Sequence, residues 1–224
     1  DGSTLGAEEV HEEGDVDGPG AAARFWGPSK VTADDAGNAY FIDLGNYKVK
    51  RIADDADRTV STIADLFDWF DPANGVPLAL ATGDGKVFVA GHSDAKDKLI
   101  EIDPDGGEAV VLYDERPHFD ELDPSQLAVI AGVEFLGDGF AVYGTKGFVW
   151  RLDRAGEPTA VLAGYGAVVD FPQDLDPAQP IPAAELPLRS PNTGAAPMAR
   201  RGNDLYLVGT AGGVGYHMWK LSCE

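Results

Sequence analysis

Cysteine is almost absent: Cys223 is the only one in 224 residues. An internal disulfide is therefore excluded, and so is a zinc site built from several thiolates. Basic residues are also scarce, with 17 Lys and Arg against 38 Asp and Glu, for a formal net charge of −21. A field of that sign repels phosphates and anionic headgroups, which argues against nucleic acid as a partner. Cationic ligands, basic peptides, metal ions and neutral glycans remain compatible with it. No apolar run approaches the roughly 18 residues a membrane helix requires, which argues against membrane insertion. The four histidines, His11, His92, His118 and His217, lie on separate segments. No HExxH pair, EF-hand loop, P-loop or GxSxG elbow is present. The chain begins at Asp1 rather than Met. A secreted chain whose leader has been removed would begin this way, so the expected location is extracellular or periplasmic.

What the chain does have is a repeat. The first unit runs Lys30–Ala33, a turn at 34–38, Ala39–Asp43, a turn at Gly45-Asn46, a strand alternating apolar and charged residues to Ile52, and Val60–Ile63. Gly and Asn mark the turns because they accept positive φ. The alternation Tyr47-Lys48-Val49-Lys50 predicts a half-exposed strand. Three further units follow, and the third strand of each carries one signature: VKRI, LIEI, VWRL and MWKL, ending at Ile52, Ile102, Leu152 and Leu221. The expected fold is all-β, a small β-propeller of four four-stranded blades in a single domain. Blades are expected over about 24–65, 76–115, 127–164 and 194–224, with a Pro-rich insertion over about 165–191. The last unit lacks an outermost strand. Ser3-Thr4-Leu5 supplies the missing strand in this reading, so that residues 3–6 close the last blade. A fragment of a larger ring, or a fifth blade hidden in the insertion, are the alternatives.

The stretch 17–65 resembles an NHL repeat, through Asp17-Gly18-Pro19-Gly20, Ala23-Arg24-Phe25, Pro28, Val31, Asp34, Gly37-Asn38, Tyr40, Asp43, Asn46, Val49-Lys50 and Ile52. The other units share only the strand pattern and Gly-rich turns, and in the second unit Gly91-His92-Ser93-Asp94 replaces the Asp-x-x-Asn element. The resemblance implies a propeller used mainly as a scaffold for binding proteins or other ligands. Some relatives are metal-dependent lyases, and distantly similar propellers are lactonases or esterases.

In a propeller, the loops that enter each innermost strand open on one end of the ring together with the loops joining second and third strands. Loops on a rigid scaffold are where function concentrates. Here they gather Trp26, Trp69 and Phe119 with Asp71, Arg116, His118 and other charged groups. Aromatics beside carboxylates suit a sugar or a cationic group. Phe25 is expected to plug the core, while Trp26 and Trp69 are read equally as plugs or as ligand contacts. His92 and His118 would face one another across the channel, as metal ligands do in the lyase relatives. Asp103-Pro104-Asp105-Gly106-Gly107 has the composition of a calcium loop, but its place in a hairpin makes it a turn. Asp43 and Asn46 are expected to bond turn backbone. The expected function is a non-catalytic binding module for a protein, peptide or glycan, with no cofactor and with candidate residues Trp26, Trp69, Asp71, His92, His118 and Phe119. The alternative is a metal-dependent lyase or hydrolase holding Ca or Zn at the channel mouth.

Overall fold

The structure, a computed structural model, describes residues 13–94, 96–115, 130–144, 147–164, 198–210 and 216–222. Apart from one 3-10 turn, its regular elements are strands. Four antiparallel sheets are set in a ring, which makes the protein a four-bladed β-propeller. Blade 1 is β1 (Pro28–Ala33), β2 (Ala39–Asp43), β3 (Lys48–Ile52) and β4 (Val60–Asp65). Blade 2 is β5 (Gly75–Gly83), β6 (Lys86–Ser93), β7 (Lys96–Ile102) and β8 (Ala109–Glu115). Blade 3 is β9 (Ile130–Phe135), β10 (Gly139–Gly144), β11 (Val149–Asp153) and β12 (Pro158–Ala163). Blade 4 has three strands among the described residues, β13 (Met198–Arg201), β14 (Asp204–Thr210) and β15 (Tyr216–Ser222). The closing strand expected at 3–6 and the insertion at 165–191 lie outside the described residues.

The signature of the third strand dictates the packing, because successive side chains point to opposite sides of a strand. Its first position points forward to the next blade: Val49 toward blade 2, Leu99 toward blade 3, Val149 toward blade 4. Its second and fourth positions point back: Ile100 and Ile102 toward blade 1, Trp150 and Leu152 toward blade 2, Trp219 and Leu221 toward blade 3. Three apolar seams result. The first joins Tyr40, Ile42 and Val49 to Val87, Val89 and Ile100, with Leu66 and Phe70 filling the loop end. The second stacks Phe88 on Phe135 at 5.2 Å and sets Phe140 edge-on to Phe88 at 4.8 Å, with Trp150 beside them. Gly83 is required there, since a Cβ on it would meet the Phe135 ring at 2.0 Å. Arg154 lies 5.4 Å over the Phe88 ring and pairs with Glu101 across the same seam at 2.6 Å. The third seam joins Tyr143 and Val149 to Leu205, Leu207 and Leu221. No apolar cluster of described residues joins blade 4 to blade 1.

One expectation fails on blade 1. The alternation at 47–50 predicts a half-exposed strand, but Tyr47 takes the left-handed turn conformation (φ 51°) and Lys50 is fully buried. The cause is the acidic segment before β1. Val16 bridges to Arg24, and Gly18 exchanges two backbone hydrogen bonds with Val60 on the outer edge of blade 1. This brings Asp15 and Asp17 over the back of the blade, where the Lys50 ammonium donates to Asp15 Oδ1 (2.8 Å), Asp17 Oδ1 (2.7 Å) and Thr62 Oγ1 (3.0 Å). The Thr62 N–H donates to Asp17 Oδ2 at 2.7 Å, and Lys48 also pairs with Asp15. Hydrogen bonds from Lys48 and Lys50 hold Asp15 below its ordinary pKa. Burial works to raise Asp17, and the bonds from Lys50 and Thr62 more than offset it. Burial likewise works to lower Lys50, yet its two carboxylates keep it above the usual lysine value.

Candidate ligand-binding face

Trp26, the turn after β2, the segment between β4 and β5, and the end of β6 share one end of the ring. Asp43 organises that end of blade 1. Fully buried, it accepts the Trp26 N–H on Oδ1 (2.7 Å) and the Asn46 Nδ2 group on Oδ2 (2.8 Å). Asn46 Nδ2 also donates to the Gly14 carbonyl at 2.8 Å, which ties the acidic segment to the same turn. These two side chains do bond the backbone around the turn, as expected from their type and place.

The turn supports two exposed aromatic rings. Gly45 N–H donates to the Trp26 carbonyl at 2.7 Å, and the indole lies so flat on Gly45 that a Cβ there would come within 2.5 Å of it. Trp26 remains 48% exposed in that position. Tyr47, two residues along, donates its hydroxyl to the Gly75 carbonyl at 2.9 Å and stacks on Phe67 with 5.3 Å between centroids. Phe67 is 50% exposed. Burial lifts the Tyr47 phenol above its ordinary pKa, with the charge of Asp71 adding to the effect. The phenol therefore stays protonated at neutral pH and keeps its bond to Gly75. Phe67 carries no sequence signal that separates it from Phe70, three residues on and fully buried.

The remaining candidates take different places. Trp69 is half-buried against the blade 1–blade 2 cluster, with its N–H donating to the Leu66 carbonyl at 3.1 Å. Asp71 is exposed and builds the turn into β5, accepting the Ala73 N–H at 2.9 Å. His92 lies at the end of β6, with its Nδ1 3.9 Å from Asp97 Oδ1. Asp97 is buried and accepts the Ile130 N–H at 3.2 Å, so it holds the start of blade 3. His118 and Phe119 lie outside the described residues. Trp26, Phe67 and Tyr47 thus border one turn, with Asp65, Asp68 and Asp71 exposed on the adjoining segment. The described residues contain no group of three His, Cys, Asp or Glu placed to hold a metal ion.

The hairpin 103–107 has its carboxylates engaged. Asp103 Oδ1 accepts the N–H groups of Asp105 and Gly106, and Oδ2 takes the Lys86 ammonium at 2.6 Å. These bonds, led by Lys86, hold Asp103 down to a pKa of about 2.

No protein-family model and no curated protein matches the chain. Among solved structures it is similar to YCF48 bound to a D1 peptide, at 12% identity and a TM-score of 0.49, with 87% of this chain covering 51% of that one. It is also similar to virginiamycin B lyase from Staphylococcus aureus (13%, 0.45, 88% on 56%). A third match is the PQQ-bound aldose sugar dehydrogenase from Streptomyces coelicolor (12%, 0.48, 83% on 57%). The chain spans about half the length of these propellers, which include a peptide binder and two enzymes.

Proposed function

We propose that the protein is a non-catalytic binding module that takes a peptide segment of a partner on the Trp26–Phe67 end of the ring. The observation that carries this reading is the pair of half-exposed rings, Trp26 at 48% and Phe67 at 50%, each held by the protein's own contacts. Rings already fixed in place lose little entropy when a ligand covers them, which is why such side chains anchor interfaces. Their faces attract Lys and Arg, and Asp65, Asp68 and Asp71 beside them favour the same charge. The resemblance of residues 17–65 to an NHL repeat supports a scaffolding role. Calorimetric titration with Lys- and Arg-containing peptides, run beside neutral oligosaccharides, tests the proposal. Peptide binding is expected, weakened about tenfold or more by Trp26→Ala or Phe67→Ala with the unfolding midpoint unchanged. Binding of oligosaccharides alone, or binding indifferent to both substitutions, would overturn it. Stoichiometric zinc or calcium in elemental analysis of the purified protein would favour the enzymatic alternative instead.

A further inference from the structure

Among the described residues, Lys48, Lys50, Lys86, Lys96, Lys98 and Lys220 each pair with a carboxylate. Lys30 differs: it forms neither an ion pair nor a hydrogen bond with a described residue. That is unexpected in a chain with 38 Asp and Glu. Lys30 is half-buried, and burial pushes its ammonium below the usual lysine pKa with no carboxylate to oppose the effect. In Lys50, Lys86 and Lys220 the carboxylate partners prevail over burial and raise the value instead.

The backbone singles out the same residue. Tyr47, Arg58, Asp84 and Asp94 have positive φ and lie between strands, whereas Lys30, at 47°, lies inside β1. A side chain crowds the backbone in this conformation, and a residue held so within a strand points to a task other than folding. The register breaks at the same place. Ser29 pairs with Ile42 and Val31 with Phe41, so Lys30 is the extra residue of a bulge, a device that re-aims a side chain. The Ser29 hydroxyl next to it is buried and has no hydrogen-bond partner. β1 is the innermost strand of its blade, and Thr82 Oγ1 ties it to β5, the innermost strand of blade 2, by donating to the Ala33 carbonyl at 2.7 Å. Lys30 stands two residues along β1 from Pro28, about 7 Å in from the Trp26 end of the ring.

We propose that Lys30, with the Ser29 hydroxyl as second donor, is a carboxylate-binding site on the innermost strand of blade 1. The bulge presents an ammonium that the fold leaves without a counter-ion, and the two oxygens of a carboxylate can accept from both groups. The negative field of the chain opposes anions mainly at close range to its own carboxylates, because about 0.1 M salt screens exposed charges beyond roughly 10 Å. The site takes the charge opposite to the one favoured beside Trp26 and Phe67, so it stands or falls independently of the peptide reading. Nuclear magnetic resonance on the full chain, isotope-labelled at lysine Cε, tests it, with the Lys30 signal assigned by its loss in Lys30→Met. Acetate and N-acetylglycine are titrated at constant ionic strength beside N-acetylglycinamide, which has nearly the same shape and no charge. A saturable shift of the Lys30 signal is expected with carboxylates and not with the amide, weakened about threefold or more by Ser29→Ala. Response to both acids supports a site for free carboxylates, and response to N-acetylglycine alone supports one for a peptide terminus. No shift, a shift no larger than that of Lys96, or an equal response to the amide overturns the proposal. Lys30→Gly gives a second readout. It should unfold at about the wild-type denaturant concentration, because relief of the positive φ offsets the added freedom of the unfolded chain. A marked fall would mean that the lysine serves the fold instead, and would also overturn the proposal.

Discussion

Blades 1 and 3 put opposite chemistry in the same place. The second position of the third-strand signature points back toward the preceding blade, and it holds Trp150 in blade 3 and Lys50 in blade 1. Both side chains are buried. Trp150 meets an apolar surface offered by blade 2. Lys50 meets Asp15, Asp17 and Thr62, brought there by a segment that adds itself to the edge of blade 1. The repeat decides where a side chain points, and its local neighbour decides what that side chain can be. A lysine at this position would be costly without its carboxylates, because an unpaired buried charge destabilises by several kcal/mol.

Substitutions at either position should be costly, for opposite reasons. Trp150→Ala should cost about 4 kcal/mol in denaturant unfolding, since it opens a ring-sized cavity in the second seam. Lys50→Ala should cost about 3 kcal/mol, less than a fully desolvated pair because Asp15 and Asp17 keep partial contact with water. The pH dependence of the clamp has a definite sign. The two aspartates are depressed, so their contribution is complete above the ordinary carboxylate range and is lost as acid protonates them. Lys50 is raised, so its share is lost only in strong alkali.

The third seam responds in the opposite direction. Burial raises Glu134 from 4.5 to about 7, partly offset by the charge and the backbone N–H of Arg200. The folded state then holds a proton that the unfolded chain has released. Stability should fall as pH rises from about 4.5 through 7, by on the order of 3 kcal/mol, and Glu134→Gln should flatten that slope in unfolding measured across pH. The smallest effect is expected at the Trp26–Phe67 end of the ring. Trp26→Ala should change stability by about 0.5 kcal/mol or less, because half of the ring is in water.

Much of this architecture was legible because strand periodicity and turn chemistry are local. VKRI, LIEI, VWRL and MWKL mark the third strands, and the same alternation assigns Val49, Leu99 and Val149 to forward seams and Trp150 and Trp219 to backward ones. Asp43 and Asn46 could be read as turn residues for the same reason. The fate of Lys50 was not legible, because its carboxylate partners lie 33 to 35 residues away in a Gly-rich acidic stretch that resembles a solvated loop. Between β4 and β5, Phe67 and Phe70 look alike in sequence. Only the stack on Tyr47 separates the exposed ring from the buried one.

The acidic segment from Glu13 to Gly20 is part of blade 1 rather than a free charged tail. A double-mutant cycle joining Lys50→Met and Asp17→Asn, read by denaturant unfolding, tests it most directly. A coupling of about 1.5 kcal/mol or more is predicted, as for groups within one hydrogen-bonded network. Additivity within about 0.5 kcal/mol would mean that the two side chains act independently, and would contradict the account.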